Sequence, residues 1–512
     1  MKTEEEGSLT IFSALSLLLI LSFLLALLEG ARVSGLQMMD TLAADTGMDC
    51  VAAEYQTVLW DKYHLLYLDG AYGWDQFDEN KVSSRVMDYV AGNLSETGEN
   101  SVFRTKLCEA SLLEYMFATD NDGTGMLRQA SAYMKRHLPE DVAKKMYQQY
   151  QDGKKAEADG KTEYSVEDAD QAIINAKKEK EQADQNDKEG APQEEAGEKN
   201  IQDNENNHAQ DAEDGKKESP IQIVLQLKQN ALLGMTVSDM SSLSAKAVEA
   251  KDMVSNRQCE TGRYDMKKAE KMNVSDRVMV LEYIGKHFSD YTEPGKGDLT
   301  YEMEYILCGK DTDKKNLESS IERLMRMREA ANVAHIIADR EKLNQTLMIA
   351  TSLAGFSGNP AVVKIVQIGV VAAWAYVESI LDLRTLLSGG KISLIKSAAE
   401  WTTDLKKLGE IVTGEGKARE CKNGLSYQAY IKQLLFAMKE KKMAYRMMDI
   451  MELAMQKEQN GKNARMDHMI DNMICELQFE AKPLFAKRSF YGDMEMGGYT
   501  FFKRQKLSYI NK

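Results

Sequence analysis

The chain has 512 residues, more than the roughly 250 to 300 at which a single hydrophobic core stops growing, so at least two folded units are expected. A formal net charge of -15, with no Lys/Arg stripe interleaved with aromatics, repels phosphate backbones and excludes nucleic acid as a partner. Six prolines against 30 methionines favour long helices over a turn-dense sandwich, and the expected class is mainly α with smaller β elements (α+β).

Residues 1–8 are a short tail, read as cytoplasmic. From Leu9 to Leu28 no residue is charged, and at 1.5 Å per residue the run covers about 30 Å, one hydrocarbon thickness. A cleaved signal peptide has an apolar region of only about 7 to 15 residues and then a small-x-small site. Leu28-Glu29-Gly30-Ala31-Arg32 follows instead, so residues 9–28 are expected to stay as a single transmembrane anchor, with the bilayer as partner. Lys2 beside Glu4, Glu5 and Glu6, against Arg32 on the other flank, leaves the positive-inside bias nearly mute. A short tail ahead of a large C-terminal portion fits a signal anchor in the cell membrane with that portion outside.

Residues 33–150 should form an extracytoplasmic α+β region, helix-like over Met48 to Asp61, extended around Tyr67, a strand ending at Phe117, then a helix over Met126 to His137. Residues 151–219 contain no Leu, Met, Phe, Trp or Cys and are dense in Lys, Glu, Asp, Gln and Asn. Such a segment buries too little apolar surface to offset its ordering entropy and should be a disordered or weakly helical charged linker.

Residues 220–512 should be mainly helical. After candidate N-cap Asn316, Leu317, Ile321 and Leu324 recur at i, i+4 and i+7, one apolar stripe. Ala361 to Ile380 invites a second membrane span, yet Lys364, Gln367 and Glu378 interrupt it. A charge at membrane depth costs at least about 2.5 kcal/mol, which favours a helix buried in protein. Gly389-Gly390 mark a helix end, and another helix is expected from Tyr427 to Met455. Cys475, Leu477 and Phe479 alternate with Glu476, Gln478 and Glu480, a strand expected to pair antiparallel with the YTFFKRQKLSYI that begins at Tyr499.

No catalytic, cofactor-binding or metal-ligating set emerges. The nearest phosphate-loop candidates, at Ser388 and Thr413, lack the GxxxxGK[ST] spacing. The histidines, His64, His137, His208, His287, His335 and His468, form no HExxH pair, and His335 in an apolar run reads as a core residue. Cys50, Cys108, Cys259, Cys308, Cys421 and Cys475 fit either disulfides or buried thiols. Asp120-Asn121-Asp122-Gly123-Thr124-Gly125 has the alternating carboxylates of a calcium loop, but Ser131 stands where a bidentate Glu is required, so a helix-capping turn is expected.

Three stretches carry a resemblance: GSLTIFSALSLLLILSFLLALLEGARV from Gly7, AWAYVESILDLRTLLSGGKISLIKSAAEW from Ala373 to Trp401, and YIKQLLFAMKEKKMAYRMMDIMEL from Tyr430. They resemble an uncharacterised, membrane-anchored family of monoderm bacteria found beside tight-adherence (Tad) pilus loci. The first is also similar to the N-terminal helix of TadE-like minor pseudopilins. With Gly7-Ser8 taken as a cleavage junction, the fifth following residue is Phe12, where a pilin presents a glutamate. The resemblance implies a non-enzymatic component of a Tad-like pilus or cell-surface assembly apparatus, with other assembly proteins as partners. An anchored cell-envelope enzyme or ligand-binding receptor is the alternative.

Overall fold

The first proline is Pro139, so nothing breaks the Leu-rich N-terminal helix, and it runs unbroken for 51 residues. In the computed structural model, residues 2–95, 102–159, 165–189, 219–264, 272–409, 416–458, 461–484 and 497–509 are described. The elements are, in order, α1 (Lys2–Ala52), α2 (Thr57–Tyr63), β1 (Leu68–Asp69), α3 (Glu79–Ser95), β2 (Lys106–Phe117), α4 (Thr124–His137), α5 (Glu140–Asp159) and α6 (Val166–Glu189). There follow α7 (Pro220–Lys228), α8 (Leu232–Thr236), α9 (Val274–His287), α10 (Glu302–Cys308), α11 (Asp313–Ala338), α12 (Arg340–Ala354) and α13 (Pro360–Leu387). The chain closes with α14 (Tyr427–Phe436), α15 (Glu440–Gln456), β3 (Met469–Ala481) and β4 (Tyr499–Ser508). The molecule is mainly helical with a small antiparallel sheet, the class expected from composition.

One unit comprises Met1–His137, Ala250–Tyr283 and Lys439–Lys512. Its sheet is centred on β3, which pairs antiparallel with β2 along one edge and with β1 and β4 along the other. The alternation read in the sequence sets the faces: Cys475, Leu477 and Phe479 are buried, and they pair with Gln505, Lys503 and Phe501 of β4. The buried face packs on α1 and α3 through Leu36, Ala44, Met48, Val82, Val86 and Val90. Residues 33–150 and 220–512 therefore do not fold as two consecutive units, a correction to the domain boundaries expected above. Strand pairing between Lys106 and Glu480 unites segments far apart in the chain, which no local pattern reveals.

The other unit comprises Leu138–Glu249 and Ile284–Met438. Prolines open its helices, with Pro220 and Pro360 at the first position of α7 and α13, where no amide partner is lost. Helix α13 is its axis, and nearly every residue from Val366 to Leu387 is buried among α6, α7, α11 and α12. The helix ends as Gly389 turns to φ +86°, and the Gly390 amide bonds the Thr385 carbonyl.

Three local expectations are corrected. The stretch 165–189 is not an unpacked linker, because α6 lays Val166, Ala169, Ile173 and Ala176 on α13; residues 160–164 and 190–218 lie outside those described. Helix α11 starts at Asp313 with Thr312 as its cap, while Asn316, one turn inside, accepts from the Lys310 amide at 2.7 Å and donates to the Lys310 and Thr312 carbonyls. The helix expected over Tyr427 to Met455 is two helices, broken at 437–439.

Candidate functional site

Among the described residues, two helices are long and apolar enough to cross a membrane, α1 and α13. Of the polar interruptions in α13, Lys364 is exposed, Gln367 donates to the Leu343 carbonyl at 3.1 Å, and Glu378 is taken up by protein. Glu378 and Asp382 are fully buried and ion-pair with Lys396, and Asp382 also pairs with Arg328 at 2.9 Å. Arg328 donates to Asn332 and Tyr430 and to the carbonyls of Ser393 and Leu394, while Glu378 accepts the amides of Thr402 and Thr403. Two cations and two anions close a neutral cluster with its donors occupied, a structural arrangement. Ser388, the residue weighed for phosphate binding, caps the carboxyl end of α13, where the dipole opposes an anion. Thr413 lies outside the described residues.

In α1 the apolar run is exposed, with Leu9, Phe12, Leu17 and Leu24 all among the most accessible apolar side chains. The charges that follow it are not. Glu29 and Arg32 are buried and paired at 2.8 Å. Arg32 also donates to the carbonyls of Val102 at 2.6 Å and Lys482 at 3.0 Å, and the Leu484 amide donates to Glu29. A collar from three parts of the chain thus grips the helix one turn beyond the apolar run. The i, i+3 spacing of Glu29 and Arg32 was the only local trace of this collar. Further along, Asp40 is buried against the sheet; burial pushes its carboxyl up to about 6, against the Thr105 hydroxyl and Lys503 charge, which lower it.

The aspartate-rich turn serves the fold. Asp120 Oδ2 accepts the amides of Phe117 at 2.7 Å and Gly262 at 3.0 Å, Asp122 pairs with Lys441 at 2.8 Å, and Asn121, Asp122 and Gly123 all take left-handed φ. Beside it lies a cleft of about 260 Å³ lined by Asp120, Ser255, Arg257, Cys259, Glu260 and Tyr445. Arg257 is held by Glu452 and Asp467, each at 2.7 Å. Burial tends to raise Asp467, but Arg465, the Glu260 amide and Arg257 hold its carboxyl down to about 2. Burial and the nearby Asp467 push the Cys259 thiol up to about 11, so it is neutral and a poor nucleophile.

All six cysteines are free thiols. The structure brings His64 and His137 onto Tyr133, with ring centroids 4.8 and 4.3 Å away, a stack invisible in the sequence. His335 stacks on Trp401, His468 is fully buried 3.3 Å from Glu260, and His208 lies outside the described residues. Among the described residues, no group of three or more His, Cys, Asp or Glu side chains is placed to hold a metal ion.

A family model described as a family of unknown function, DUF5702, matches residues 210–481, more than half of the chain. The chain belongs to DUF5702. The DUF5702 segment takes in the buried cluster of α11 and α13, the loop around Arg257 and the central strand β3, but not α1, β2 or β4. The partners that complete the sheet therefore lie outside the segment that defines DUF5702. No curated protein and no solved structure matches the chain.

Proposed function

We propose that this DUF5702 protein is a membrane-anchored, non-enzymatic component of a Tad-like pilus or cell-surface assembly apparatus. Residues 9–28 span the cell membrane, residues 1–8 stay in the cytoplasm, and the folded units lie outside. The observation that carries this reading is α1. Between Leu9 and Ala44 its only charged residues are Glu29, Arg32 and Asp40, all buried, so its exposed face is uncharged over 36 residues, about 54 Å. A bilayer core accounts for about 30 Å of that. Beyond it, Met38 and Leu42 are 76% and 65% exposed and lie on the helix face of Leu24, Leu28 and Ala31, which Gly35 beneath Phe103 interrupts. That face suits lateral packing with helices of other assembly proteins. Phe12 in place of a pilin glutamate favours a stationary component over a filament subunit.

The test combines piliation of a gene deletion with intact-mass analysis and protease shaving of cells. Lost piliation, full mass and external digestion are expected. Normal piliation with partner proteins intact would reject the assembly role, and a hydrolytic activity abolished by Asp120→Asn or Glu260→Gln would favour an anchored enzyme instead.

A further inference from the structure

The collar that grips α1 turns apolar side chains outward. Its two loops are tied to the helix by the bonds of Arg32 to Val102 and Lys482 and of Glu29 to Leu484, which hold them at the level of residues 29–32. At that level Val102, Phe103 and Leu484 are 48%, 39% and 38% exposed. Phe103 also lies against Gly35, where a Cβ would collide with its ring. The next residues include the exposed cations Arg104 and Lys482.

A helix whose residues 9–28 cross the bilayer brings this level to within one helical turn, about 5 Å, of the hydrocarbon boundary. Apolar side chains flanked by Lys and Arg at that depth enter the boundary between headgroups and acyl chains, with the cations among anionic headgroups. We infer that loops 102–104 and 482–484 form a membrane seat, with a lipid surface covering Val102, Phe103 and Leu484. The helix supplies the tether and the two loops supply a second and third point of contact. Contacts beside the helix restrict the tilt of the first unit on the membrane. A lone helix leaves it free to swing.

The inference rests on the reading of residues 9–28 as a membrane span, and one experiment separates the two. The full-length protein is placed in phosphatidylcholine–phosphatidylglycerol vesicles containing a lipid with a carbene precursor near the headgroup. After photolysis, labelled peptides are mapped by mass spectrometry. Label is expected on residues 9–28 and on the peptides holding Val102, Phe103 and Leu484. Leu42, equally apolar but about 21 Å beyond Leu28, should stay unlabelled and serves as the internal reference. Phe103→Asp and Leu484→Asp should each cut labelling of their own loop several-fold while leaving residues 9–28 labelled, with circular dichroism verifying the fold. Label confined to residues 9–28, with both loops as bare as Leu42, would overturn the seat and leave the span standing. No label at 9–28 would reject the span, and the seat with it.

Discussion

Gly47 of α1 meets Val90 of α3 so closely that a Cβ at position 47 would run into the Val90 side chain and come within 3.1 Å of its backbone nitrogen. Since that nitrogen belongs to a helix, it cannot step aside. Gly47→Ala is expected to lose about 1 to 2 kcal/mol of stability, overpacking outweighing the roughly 1 kcal/mol that Ala gains over Gly in a helix. Gly92→Ala in α3, where a Cβ meets nothing within 4 Å, should instead be neutral or slightly stabilising. Urea unfolding in detergent compares them, and equal shifts for both variants would contradict a close crossing at Gly47.

Arg328 and Asp382 are fully buried together, so removing one partner strands the other. Arg328→Met should cost about 3 to 5 kcal/mol, as an uncompensated buried charge does. Adding Asp382→Leu and converting Lys396→Met with Glu378→Gln should restore part of that loss by removing the stranded charges. Denaturant midpoints of the single and multiple variants decide this. A single variant as stable as the parent would show that water reaches the cluster.

Glu304 is wholly buried, with Oε1 accepting from Tyr427 Oη at 2.7 Å and from the Tyr291 amide at 2.9 Å. Burial raises its carboxyl from 4.5 to about 8, with Asp290 adding to the rise against the Tyr427 bond. The folded state therefore prefers the protonated form. Its stability is greatest below pH 4.5 and falls as pH rises toward 8, by up to about 1.4 kcal/mol per pH unit for one such group. Glu304→Gln, fixed in a neutral form, should flatten the loss between pH 5 and 8. Asp471, which burial raises to about 7, leaves a residual slope. Melting curves at stepped pH test the point, and an unchanged slope in the variant would show that Glu304 does not titrate in this range.

In the turn at Asp120, one carboxylate oxygen holds two backbone amides, so Asp120→Ala leaves both without that acceptor. A loss of about 1 to 3 kcal/mol is expected. Asp122 is already paired with Lys441, and millimolar calcium should leave the melting temperature unchanged. A calcium-dependent rise that disappears in Asp120→Ala would restore the metal-loop reading.

Which parts of this fold were legible depended on the range of the interaction. Period-two alternation in Cys475, Leu477 and Phe479 and the i, i+4, i+7 stripe of Leu317, Ile321 and Leu324 are local, and all six side chains are buried as expected. The pairing of Lys106 with Glu480 and the collar linking Arg32 to Lys482 join residues hundreds of positions apart, and no window of sequence contains both partners. The start of α11 was misread because Asn316 and Thr312 are both plausible caps by residue type, and only the path of the preceding turn selects Thr312. For α6 the signal was present but weak. Val166, Ala169, Ile173 and Ala176 sit at i, i+3, i+7 and i+10, but two are alanines, and the charged positions between them dominate any composition-based reading.

Because the apolar stripe of α6 is so thin, its docking should depend on close approach more than on area. Ala169 lies where Gly369 of α13 leaves no room for a side chain, and a Cβ at 369 would collide with the Ala169 Cβ. Gly369→Leu is therefore expected to force α6 off α13 while the cluster around Arg328 persists, since α6 contributes none of its side chains. Hydrogen exchange reads this directly. Amides of residues 166–176 should lose protection in the variant, by an amount set by the free energy of docking, whereas those of residues 374–387 keep theirs. Equal loss across both segments would mean that α6 and α13 unfold together, and that the thin stripe is an integral part of the core.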